Sequence, residues 1–348
     1  MLVKDAKDIA RRWVAEQASD IPGYRGALFH GSIGWLPDDA LLPALSDVDV
    51  MLVLDMPEPP PLKLGKTPYQ GLLLDVSVLA SDELSPPERI LGQYHLAGSF
   101  RSASIIADPS GLLACCQAVV ARHFAVRRWV RQRCEHAHAR VLRNLQSLRE
   151  SDPLHDQVTA WLFATGVTTH ILLVAGLRNP TVRTRYVATR ALLSDYGYAD
   201  FYEFLLRLLG CAELSRADVE RHLPALAEAF DAAKAVIATP FPFASDITGA
   251  ARPFAIDGSQ DLMERGFHRE AVFWMVATAS RCQKVLAHDA PDEVREQLLP
   301  GYRQLLGDLG IASFADLQER CDEVRAALPT IREVAEAIMA ANPEIVDD

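Results

Sequence analysis

FHGSIGWLPDDALLPALSDVDVMLVLD, Phe29 to Asp55, is the stretch from which the first part of the chain is read. A β-rich run ends at Gly31-Ser32, a connector follows, and Ser46-Asp47-Val48-Asp49 opens the apolar run Val48 to Leu54. Side chains alternate along a strand, so Asp47 and Asp49 point to one face. A third carboxylate, Asp75, lies inside the next apolar run, LLLDVSVL from Leu72 to Leu79. If that run pairs beside the first, Asp75 completes a cluster. Three carboxylates on one face repel one another and raise each other's proton affinity unless a cation intervenes. Magnesium takes hard oxygen ligands and shares them with substrate phosphates. Two such ions about 3.5–4 Å apart activate an attacking oxygen and stabilise a leaving one in phosphoryl chemistry. Gly31 lets a backbone approach a phosphate closely. Ser32 adds a hydroxyl and an N–H at a helix start.

On either side of this stretch, short β-rich runs are expected at Ala27–His30 and Ser104–Ala107, each bounded by Gly, Pro, Asp or Ser. The segment Met56 to Pro68, MPEPPPLKLGKTP, is proline-rich and is expected as a loop outside the sheet. The start, MLVKDAKDIARRWVAEQ, reads as an amphipathic helix and not as a secretory signal. From Leu112 the period becomes helical. Leu112, Cys116, Val119, His123, Val126, Val130, Cys134, Ala137, Val141 and Leu145 form one stripe, which predicts a single long helix. Further helices are expected around Gln157–Gly176, Phe201–Leu209, Ser215–Ala238, Asp261–His288, Glu293–Leu306 and Phe314–Ala340. The expected fold class is α+β: a small mixed-sheet domain over residues 1–111, then an all-α domain over residues 112–348.

The order Gly31-Ser32, Asp47-x-Asp49 and a later Asp75 resembles the signature of the polymerase-β-type nucleotidyltransferases. With a helical C-terminal part, the chain is similar to aminoglycoside nucleotidyltransferase-like bacterial proteins. The motif covers Ala27 to Val78, and the connector of fourteen residues between Ser32 and Asp47 is long for that family. The resemblance implies that Gly31 and Ser32 hold a nucleoside triphosphate such as ATP. It implies that Asp47, Asp49 and Asp75 hold magnesium, two ions in all, in a cleft whose helical side chooses the acceptor. The activity implied is transfer of a nucleoside monophosphate to a hydroxyl of a small-molecule acceptor, an aminoglycoside-like antibiotic among them, with release of pyrophosphate. The alternatives are an RNA or protein acceptor, or a non-catalytic nucleotide-binding module.

On the long helix, Arg127, Arg131, Glu135 and His138 share one flank. Arg127 and Arg131 are candidates for triphosphate oxygens, which match a guanidinium fork. Glu135 is a candidate general base, with Glu203 and Glu270 as rivals. Arg122, Arg127, Arg128, Arg131 and Arg133 form a basic cluster, but aromatic interleaving is thin and the net charge of −11 repels a nucleic-acid backbone. Nucleic acid is therefore not the expected partner. Asp38 and Asp39 in the connector are candidate partners for an ammonium-bearing acceptor. Asp108 and Ser110 are helix-cap types, and His30 reads as a packed strand-end histidine. Six cysteines without a C-x-x-C pair read as buried reduced thiols, with no zinc pattern. With 49% hydrophobic and 23% charged residues the chain is ordinary globular protein, and without a run of 18 apolar residues no membrane span is expected. A cytoplasmic location is the corresponding expectation.

Overall fold

Along Val48–Leu54 the residues after Asp49 are all apolar, and a strand of that kind has to be covered on both faces. A computed structural model, which describes residues 1–56 and 63–347, shows how. The chain opens with helix α1 (Val3–Trp13), followed by strands β1 (Tyr24–Phe29), β2 (Val48–Leu54), β3 (Lys63–Tyr69) and β4 (Leu72–Ala80). Two short helices, α2 (Glu88–Leu91) and α3 (Ala97–Phe100), lead to β5 (Ile105–Ala107), and then to α4 (Leu112–His123) and α5 (Arg127–Gln146). The five strands form one mixed sheet in the order β3-β4-β2-β1-β5, so the fold is α+β. β2 and β4 run parallel, while β1 is antiparallel to both its neighbours and β3 is antiparallel to β4.

The two faces of the sheet bury different residues. Val48, Val50, Leu52, Leu74 and Val76 pack with Val3, Ala6, Ile9, Ala10 and Trp13 of α1. Met51, Val53, Leu28 and Leu79 point the other way, onto Ile90, Leu91, Phe100, Leu113, Cys116 and Val120. Each such aliphatic side chain contributes about 1.5–3 kcal/mol when fully buried. Asp49 lies in phase with Met51 and Val53, and Asp75 with Leu79, so both carboxylates belong to the α4 side of the sheet.

The structure corrects several expectations. Lys63–Tyr69 is a strand, not a loop, and it contains Pro68. β3 is an edge strand, where a missing N–H breaks no interior ladder. Gln70 and Gly71, with φ of 46° and 81°, turn the chain tightly into β4. Residues 57–62 of the expected loop lie outside the described residues. The stripe from Leu112 to Leu145 is shared by two helices. Val126 leaves the helical path to bridge Val346, and Arg127 N–H donates to the Val346 carbonyl at 2.9 Å. Cys116, Val130, Cys134, Ala137, Val141 and Leu145 are buried along it, as the period requires.

Contacts divide the chain into two units. One comprises Met1–His136, Leu177–Asn179 and Pro343–Asp348; the other comprises Ala137–Gly176 and Pro180–Asn342. The expected boundary at 111/112 thus falls inside the sheet unit, because α4 packs on the sheet. The second unit is helical, with α6 (Leu154–Ala175), α7 (Arg185–Asp195), α8 (Ala199–Leu209), α9 (Arg216–Glu220), α10 (Leu223–Val236), α11 (Arg252–Ala255), α12 (Asp257–Glu264), α13 (His268–Asp289), α14 (Asp292–Asp308) and α15 (Phe314–Ala341). α6 packs against α15 and α13. It is long and apolar enough to cross a membrane by length and composition, and 83% of that window is buried inside the structure, as in a core helix. The expected Asp261–His288 helix is two, α12 and α13, separated by Gly266 at φ +84°.

Candidate metal and phosphate site

The parallel register of β2 and β4 sets Asp49 directly beside Asp75. Neighbouring strands lie about 4.8 Å apart. Two like charges at about 5 Å repel by about 3 kcal/mol at an effective dielectric of 20. Asp47 precedes β2 and joins the pair through a lysine. Lys66 on β3 is the register partner of Asp75. Its ammonium donates to Asp75 Oδ2 at 2.9 Å and also to Asp47 Oδ2. The Lys66 and Asp75 side chains are 8% and 9% exposed, and that of Asp47 is 27% exposed. A single buried ammonium therefore bridges two carboxylates at once, which its three donors allow, and offsets one of their two charges.

Gly31 closes the other side. It begins the single turn Gly31–Gly34 with φ +60°, and a Cβ there would run into Asp49 Oδ2 and lie 2.8 Å from Asp49 Cγ. The close approach of this turn to the carboxylate requires glycine. The His30 N–H, one residue earlier, donates to the Asp49 carbonyl at 3.0 Å, tying the turn to β2. The His30 side chain faces Ser99, with Nδ1 2.6 Å from the hydroxyl. Burial pushes this imidazole down to about 4, against the pull of the Asp75 charge, so it is neutral near pH 7. His30 is thus a packed histidine that adds no positive charge to the site.

The long connector after Ser32 is pinned. Trp35 stacks under the Arg101 guanidinium, 3.7 Å from the ring centroid, with Phe124 edge-on at 6.4 Å. Val3 and Lys4 donate backbone hydrogen bonds to Ala40 and Asp38. The Asp38 carboxylate is paired with Lys7 at 2.7 Å, which holds it below the usual carboxylate range; as an ammonium ligand it is already occupied by the chain itself. Asp39 is exposed.

The α5 candidates divide. Arg131 and Glu135 are exposed, within the part of α5 that belongs to the sheet unit. Arg127 Nε donates to Asp347 at 2.6 Å. Arg133 does not belong to a surface cluster. It is 1% exposed, and it donates to the Leu91 carbonyl at 3.0 Å and to the Phe124 carbonyl at 2.6 Å. Its desolvation lowers the guanidinium to about 10. In the helical unit, Glu203 is held by both terminal nitrogens of Arg269. Glu270 is 2% exposed and accepts from the Tyr202 hydroxyl at 2.7 Å and from Arg190 at 3.3 Å. Asp108 and Ser110 cap α4, accepting from Ala114 N at 2.8 Å and Leu112 N at 3.3 Å. No disulfide forms among the described residues, and of the six thiols only Cys115 is exposed.

Among the described residues, no three His, Cys, Asp or Glu side chains form a ready-made metal cage. The donors nevertheless suit a hard cation. They are all carboxylate oxygens, a lysine ammonium stands in as the positive charge between two of them, and a glycine cradle lies against the third. Asp47, Asp49 and Asp75 are the residues that would hold such a cation, with the Gly31 turn against Asp49. Lys66 was missed in the sequence because the prolines before it concealed a strand. The signal was the Gln70-Gly71 turn: three residues back from Tyr69 is Lys66, and three forward from Leu72 is Asp75.

No protein-family model matches the chain, and no curated protein matches it.

Proposed function

We propose that the chain is a magnesium-dependent nucleotidyltransferase that moves a nucleoside monophosphate from a triphosphate to the hydroxyl of a small-molecule acceptor. The observation that carries this reading is the in-register pairing of Asp49 with Asp75, joined by Asp47 and faced by the left-handed turn at Gly31. Magnesium, when held by Asp47, Asp49 and Asp75, would supply neutralisation of polyphosphate charge. Gly31 lets its turn lie against the Asp49 carboxylate, and the Ser32 hydroxyl of that turn donates to a phosphate oxygen. Arg131 and Arg127 are the guanidinium candidates for phosphate oxygens, and Arg127 also donates to Asp347. The acceptor oxygen attacks the α-phosphorus, the bond to the bridging oxygen breaks, and pyrophosphate leaves. The acceptor's proton passes to a carboxylate. Glu135 is assigned that role as an exposed carboxylate of the sheet unit, to which Glu203 and Glu270 do not belong. The chain's contribution is positioning and preorganised charge. Cysteines without disulfides suit a reducing, cytoplasmic setting.

The test incubates the purified chain with magnesium, each of the four nucleoside triphosphates and a panel of acceptors. Aminoglycosides, other polyols, RNA and protein are included. Pyrophosphate release is followed, with the mass of the product. A gain of one nucleoside monophosphate identifies reaction and acceptor. Asp47→Ala and Asp49→Ala are each expected to lower turnover by about 10²–10³-fold or more, the cost of removing a group from a preorganised charged site. Unchanged turnover in both variants refutes the site. Tight nucleotide binding without pyrophosphate release on any acceptor assigns the chain as a binding module instead.

A further inference from the structure

We propose that Lys66 is the site's own counter-cation, so that a divalent ion has to take Asp47 and Asp75 away from it. This deepens the reading above and rests on it, since it presupposes that the carboxylates hold a divalent ion. Lys66 is the register partner of Asp75, and its ammonium donates to Asp75 and Asp47 together. Its side chain is 8% exposed, which a lysine tolerates only when paired. Its position on the edge strand lets a long stem start at the rim of the sheet and reach inward.

Three carboxylates and one ammonium leave a net charge of −2 in this cluster, so the site remains attractive to a divalent cation. The same oxygens cannot serve both cations in full. An incoming divalent ion loses the Lys66 contacts as it gains carboxylate ones. Affinity for the metal alone is therefore held down, and it rises when Lys66 loses its charge. Arginine at this position keeps the charge and keeps the competition. A lysine with a purely structural role in the β3–β4 hairpin would leave metal affinity unmoved.

The experiment titrates Mn²⁺ into the full chain without nucleotide and follows the free-ion signal by electron paramagnetic resonance. Lys66→Gln is expected to tighten Mn²⁺ binding by about tenfold or more, about 1.4 kcal/mol. Lys66→Arg should stay within about twofold of the wild type, a difference of less than about 0.5 kcal/mol. Adding Asp75→Asn to Lys66→Gln should abolish the gain. Equal affinity in wild type and Lys66→Gln, with binding still lost in Asp75→Asn, overturns the role of Lys66 and leaves the carboxylate site standing. Absence of Mn²⁺ binding in both overturns the metal reading itself, and this inference with it. Should Lys66→Gln fail to fold, the wild type suffices. Acetylation of Lys66 by acetic anhydride, mapped by mass spectrometry, is expected to rise at saturating Mn²⁺. Labelling that stays flat at saturation refutes the competition.

Discussion

At Gly31 the backbone is left-handed and a side chain would strike Asp49, whereas a Cβ at Gly34, three residues on, meets nothing within 4 Å. Gly31→Ala is therefore expected to cost about 1–2 kcal/mol in conformational strain alone, and to lower pyrophosphate release more than stability. Gly34→Ala should stay within about 0.5 kcal/mol of the wild type. Urea melts read beside turnover check both. That Asp49 and Asp75 lie side by side on neighbouring strands was legible, because both sit inside apolar runs long enough to read as strands. Lys66 was not, since its meaning depends on a cross-strand partner nine positions away. The Arg133 contacts were equally hidden. Its neighbours on the helix look solvated, and only tertiary packing against Leu91 and Phe124 buries it.

Where α6 packs against α13, Gly166 sits under Phe273 and Arg185. A Cβ there would collide with the Phe273 ring and lie 2.6 Å from Arg185 Nη1, and both residues are fully buried. Helix propensity alone favours alanine over glycine by about 0.5–1 kcal/mol, while overpacking costs about 1–3 kcal/mol. Gly166→Ala is thus expected to destabilise by up to about 2.5 kcal/mol net, the difference of those two terms. A stabilised variant in a urea melt would show that the contact yields. The solid apolar runs of β2 and β4 made those strands readable, and their sides of the sheet followed. β3 was concealed because proline argues against interior strands but says nothing against an edge. The break between α4 and α5 was concealed for another reason: its cause, the bridge from Val126 to Val346, lies more than two hundred residues away. α7 escaped notice too, although it carries the buried Arg185, Tyr186 and Thr189.

Across the helical unit, acidic groups are tied down by arginines and backbone donors. Hydrogen bonds from Arg252, then from Lys234, hold Asp231 at about 2, below its ordinary 3.8. The Arg269 pair lowers Glu203, and backbone and side-chain donors at the start of α15 lower Asp316. A carboxylate whose value is depressed on folding stabilises the fold above its unfolded value and loses that contribution as pH falls. For Asp231 the window runs from about 3.8 down to about 2. The pair is largely solvated, so it is worth no more than about 1 kcal/mol. The thermal midpoint is expected to fall on acidification through that window, and Asp231→Asn should be less stable than wild type at pH 7 but converge with it near the acid end. A gap between them that stays constant to the acid end would refute the assignment. The division into a sheet unit and a helical unit was legible from the change of period. Its position was not, because α4 is helical in pattern but belongs to the sheet by packing.

The β3–β4 hairpin has one more consequence. A slip of β3 by a single residue would turn Lys66 to the opposite side of the sheet and strand Asp75 beside Asp49 with no balancing charge. Misaligned hairpins are therefore penalised electrostatically as well as by lost packing, so the cluster proofreads the registration of the strand that completes it.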